Sequence, residues 1–105
     1  MKQIDWLSYP QLAEAVILWT GHGRTAWPLR DESLLIQRFG PELAAQLLAM
    51  IRYLEDEFYT SEARFVAADL REMEKISAEQ FEKSHLGVAE EIVKAFAWCY
   101  TFDFK

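Results

Sequence analysis

One cysteine, Cys99, stands in 105 residues. No internal disulfide can staple the chain, and a reducing compartment is expected. Proline (three) and glycine (four) are scarce, so every break they impose is informative. Apolar runs such as Ala15 to Trp19 are far too short to span a membrane. The opening MKQIDWLSYP lacks the apolar stretch of a secretory signal, so a cytoplasmic protein is the expectation. Positive charge is also in deficit: Lys and Arg number 11 against 17 Asp and Glu, a net charge of −6. Residues 1–40 carry four groups of each sign, whereas 41–105 carry seven basic and thirteen acidic groups. A surface of that kind repels nucleic acid and anionic lipid and attracts basic partners. Neither DNA, RNA nor a membrane is therefore expected as a partner.

The chain is rich in large rings, with seven Phe, four Trp and four Tyr. Rings bury much area each, and a chain of this length makes one domain, residues 1–105, with a core of its own. The clearest segment is Pro41 to Tyr59. Leu43, Leu47, Met50, Ile51, Leu54 and Phe58 form one apolar stripe there, Gly40 stops what precedes it, and Pro41 suits a first helical position. Four further helices are predicted: roughly 9–20, opened by Pro10 and closed by Gly21; 31–39, capped by Asp31; 62–84; and 88–100. Ser77-Ala78-Glu79-Gln80 has the form of a capping box, which predicts a kink or restart at Ser77. Beyond Tyr100 the pattern alternates, so an extended tail pressing Phe102 and Phe104 onto the bundle is expected. The fold class is all-α, a bundle of about five helices with the helix 41–59 most buried, between the first and last.

Few residues carry a chemical signal. Glu82-Lys83-Ser84-His85 is a Glu-x-x-His on a helix, as di-iron bundles use, but only half of such a ligand set is present. No metal or other cofactor is expected. Cys99 lies among rings, where a thiol is inert, and Ser84 beside His85 is only sequence adjacency. Gly21-His22-Gly23-Arg24 lacks the lysine of a phosphate loop. No catalytic residue is assigned. The loop 21–30 does concentrate Arg24, Trp27 and Arg30, types favoured at interface hot spots. These are secondary binding candidates, although Trp27 is expected to tuck into the core.

Glu55, Asp56 and Glu57 crowd the last turns of their helix, where the macrodipole favours cations. Arg52 or Arg64 could neutralise them. With Tyr59 and Glu62 they compose the candidate partner-binding surface, carboxylates beside tyrosine, suited to a basic protein. In size, acidity and helicity the whole chain resembles the small acidic all-helical immunity proteins of bacteria, which plug basic toxin domains, often nucleases. That resemblance implies a non-enzymatic antitoxin-type binder. The alternative is a structural or self-associating protein, with Trp27, Phe102 and Phe104 forming a homodimer interface, and a metal- or ligand-dependent enzyme is the third reading.

Overall fold

In a computed structural model, residues 4–105 are described and are all-helical, with no strand among them. A single 3-10 turn, Trp6–Ser8, leads in, capped by Asp5, whose carboxylate accepts the Leu7 amide at 3.2 Å. The helices are α1 Leu12–Thr20, α2 Glu32–Phe39, α3 Pro41–Phe58, the single-turn α4 Ala63–Val66, α5 Leu70–Ser84 and α6 Glu90–Asp103. Of the apolar lead-in, Ile4 and Trp6 reach the core whereas Leu7 is exposed; residues 1–3 lie outside the described residues.

Pro10 does not open α1. It sits in a turn whose Tyr9 carbonyl accepts the Leu12 amide, and the helix starts two residues later. Gly21 ends α1 at φ 80°, a left-handed conformation natural to glycine, and a Cβ there would collide with Thr25 Oγ1. Gly40, at φ 81°, closes α2 by donating to Ile36 and opens α3 by accepting from Ala44. Two helices therefore meet at one residue, and Pro41 loses nothing by lacking an N–H.

α3 packs chiefly on α2, while α6 packs on α5 and α1. The buried face of α3 is Ala44, Leu47, Leu48, Ile51, Leu54 and Phe58; Leu43 and Met50, predicted on its stripe, are only half-buried at its edge. α1 buries five of its nine residues and α6 seven of its fourteen, against six of eighteen in α3, so both the first and the last helix are more enclosed than α3. The small Ala95, Ala97 and Cys99 of α6 let neighbours approach on a second side. Phe58 is the hub of the aromatic core, with ring centroids 5.0 Å from Phe81, 5.8 Å from Tyr100 and 6.0 Å from Phe96. Truncating such a ring to Ala costs about 3–5 kcal/mol.

Two breaks differ from expectation. The stretch 62–84 is interrupted at 67–69 and runs straight through Ser77. Asp69 caps α5 by accepting the Glu72 amide at 2.8 Å, while Glu72 accepts the Ala68 amide at 3.1 Å, a reciprocal pair satisfying two otherwise orphaned donors. Ser77 is buried mid-helix, its hydroxyl donating to the Glu74 carbonyl at 3.0 Å. At the C-terminus, α6 continues through Asp103 instead of giving way to an extended tail. Tyr100 and Phe104 stack edge-on at 4.9 Å, a four-residue spacing that serves a helix, and Phe104 does press onto the bundle.

Candidate partner-binding surface

Arg30 joins two residues that the sequence marks separately, Glu55 and Tyr59. Its amide donates to the Trp19 carbonyl at 2.7 Å and that of Leu29 to Thr20 at 3.0 Å, which lays the loop against the end of α1. From there the guanidinium reaches Glu55 Oε2 through Nε at 3.3 Å, and Asp103 Oδ2 and the Tyr59 hydroxyl through Nη2 at 2.7 and 3.0 Å. The Tyr59 hydroxyl donates in turn to Asp103 at 2.6 Å. Burial disfavours the Arg30 charge, but the hydrogen bond to Asp103 and the field of Glu55 outweigh it, and its pKa is raised. Burial and the bond to Asp103 likewise raise the Tyr59 phenol, keeping it a donor. Loop 21–31, α3 and α6 are clasped by one cation.

The five acidic-face candidates thus divide. Glu55 and Tyr59 serve Arg30. Asp56 and Glu62 are exposed and make no ion pair among the described residues. Glu57 accepts the Tyr53 hydroxyl at 3.3 Å and, with Glu62, lines an open cleft of about 730 Å³ beside Ser61, Phe81, Lys83 and His85. Neither arginine expected to neutralise the cluster does so: Arg52 lies over the Trp19 ring at 5.9 Å, and Arg64 lies between two phenyl rings. Arg30 takes that part, on Glu55 alone.

Of the secondary candidates, Arg24 is exposed and Trp27 is 59 % exposed, not tucked into the core. The tight turn that returns residues 29 and 30 to α1 directs Trp27 outward; its carbonyl accepts the Thr25 hydroxyl at 2.8 Å.

Three uncovered apolar side chains lie where the helix break puts them. Phe65, Val66 and Leu70 are 73, 64 and 45 % exposed. Arg64 extends this surface, its guanidinium 4.6 Å from the Phe65 centroid and 4.3 Å from that of Phe104. Both contacts are cation–π attractions that hold an arginine in place without a carboxylate. The turn beneath is firm: the fully buried Tyr100 hydroxyl donates to the Ser61 carbonyl at 2.9 Å and accepts the Arg64 amide at 3.0 Å. Phe65, Val66 and Leu70 share helical spacing with the buried Met73 and Phe81, but the break at 67–69, marked in the chain by Asp69-x-x-Glu72, puts them on a corner.

The chemical candidates stay apart. Glu82 lines a second cleft of about 500 Å³ with Arg71, Lys75 and Lys94, whereas His85 faces the first. No three His, Cys, Asp or Glu residues converge as metal ligands among the described residues. Cys99 is fully enclosed and burial pushes its thiol up to about 12, which suppresses the thiolate. No described helix is long and apolar enough to cross a membrane. No protein-family model, curated protein or solved structure matches the chain.

Proposed function

We propose that this chain is a non-enzymatic protein-binding module of the immunity or antitoxin kind, acting in the cytoplasm by covering a basic toxin or nuclease domain. The observation that supports it most is the corner of Phe65, Val66 and Leu70, apolar side chains left uncovered beside the helix break. Exposed apolar groups close together in the chain, with an arginine stacked beside one of them, have the composition of an interface centre. Glu62, Asp69 and Glu72 surround that corner in the chain, and the excess negative charge of 41–105 selects for a basic partner. Asp56 and Glu62 are the free charge anchors, with Glu57 in the adjoining cleft. Glu55 and Tyr59 contribute through the clasp that fixes their helix end.

Affinity capture from source-cell lysate tests this at low and high salt. Wild type would run beside two folded variants, Phe65→Ser with Leu70→Ser, and Asp56→Lys with Glu62→Lys. The expected outcome is one basic protein, bound one to one by wild type, weakened by salt and lost from both variants. Retention by all three alike would remove this surface from consideration. A wild type that holds nothing and runs as a dimer would make self-association the better account.

A further inference from the structure

The first cleft has chemistry of its own. Its wall is His85, whose side chain is only 9 % exposed and stacks on Phe81 with centroids 4.2 Å apart. His85 Nδ1 lies 3.3 Å from the Phe81 carbonyl, and because a carbonyl only accepts, a hydrogen bond there assigns the ring hydrogen to Nδ1. In the neutral ring Nε2 then presents a lone pair, and it stands 4.0 Å from Glu57 Oε1. That gap is too long for a hydrogen bond. It is the right width for one NH₂ or NH₃⁺ group to donate to both acceptors, at about 2.9 Å each. Glu62 adds a second carboxylate to the lining, against one like-charged group, Lys83.

We infer that this cleft binds a cationic N–H donor, a guanidinium or primary ammonium group, bridging Glu57 Oε1 and His85 Nε2. The site follows from the cleft alone. It rests on the protein-binding proposal only for its source, an arginine or lysine side chain of the basic partner. The cation would sit beside the apolar corner, since Glu62 precedes Phe65 by three residues on the same turn.

NMR titration of the full chain tests the site with small probes: methylguanidinium, methylammonium, and tetramethylammonium, which has the charge but no N–H. The first two should shift the His85 ring nitrogens and the Ser61 and Glu62 amides saturably, and tetramethylammonium should not. Glu57→Gln should weaken binding about tenfold, the loss of one charge-assisted bond, and Lys83→Ala should strengthen it severalfold. Equal shifts with tetramethylammonium, no saturation, or unchanged affinity in Glu57→Gln would overturn the inference. So would a doubly protonated His85 at pH 7.5, because the imidazolium would then occupy Glu57 itself. Acetyl-arginine amide and spermidine separate the sources. Tighter binding of the blocked amino acid supports a protein side chain; tighter binding of the polyamine supports the site and overturns that source. Because no partner protein is present, failure here leaves the capture result unaffected, and the reverse holds too.

Discussion

Arg30 adopts φ 51°, the one non-glycine residue with positive φ among those described. Such a backbone costs an L-residue roughly 1–2 kcal/mol, so its side chain must return more than that. Arg30→Gly and Arg30→Ala separate the two effects. Both lose the bonds to Glu55, Tyr59 and Asp103 and should unfold about 1–3 kcal/mol more easily, with the Gly variant recovering about 1 kcal/mol relative to Ala. Chemical denaturation of the pair measures this; a Gly variant as stable as wild type would show that the clasp contributes nothing net. Cys99 and Tyr59 make a second prediction. Both have folded pKa values raised above their ordinary 9.0 and 10.0, chiefly by burial. Their contribution is complete below pH 9 and is lost as pH rises toward 12, because the unfolded chain releases those protons first. Stability followed by circular dichroism should fall across that window, and a thiol reagent at pH 8 should label Cys99 only after unfolding. None of the clasp could be read from the chain, because its members lie 25, 29 and 73 positions from Arg30.

At the scale of elements, the start of α5 is the sharpest test. Asp69→Ala removes a cap and should cost about 1 kcal/mol, whereas Ser77→Ala should change stability by less than about 0.5 kcal/mol, since alanine suits a helix interior. Thermal melts of the two variants decide where the helix begins. Both Asp69-x-x-Glu72 and Ser77-x-x-Gln80 carry the same local signature, and only packing chooses between them: Ser77 is enclosed with its hydroxyl turned to its own helix, while Asp69 stands in solvent free to cap. Where one residue carries the whole signal, as at Gly21 or Gly40, the boundary is legible in the chain. Around Tyr100 two periods coexist, because residues 100, 102 and 104 alternate while 100 and 104 also sit one helical turn apart. The hydroxyl of Thr101, bonded to the Ala97 carbonyl at 2.7 Å, and the hold of Arg30 on Asp103 favour the helix. The fate of Trp27 depended on a turn returning to α1, which composition does not encode.

Across the whole molecule the helices form a slab, 42 × 33 × 17 Å. A slab has more face than a sphere of equal volume, which explains how a chain with a tight aromatic centre still leaves Phe65 and Leu70 uncovered. Its ends are joined late in any plausible order of assembly. The indole of Trp6 donates to the Leu86 carbonyl at 2.8 Å across 80 positions, and Arg30 holds Asp103 across 73. The α2–α3 and α5–α6 pairs, by contrast, lie between neighbours in the chain. Contacts that close the longest loops form after those that close the shortest. The clasp is therefore expected to be absent from the folding transition state. In stopped-flow chevrons, Arg30→Ala should leave the refolding limb almost unmoved and raise the unfolding rate constant roughly tenfold or more. What Arg30 sets, on this account, is the lifetime of the native state: how long an assembled chain waits before it opens.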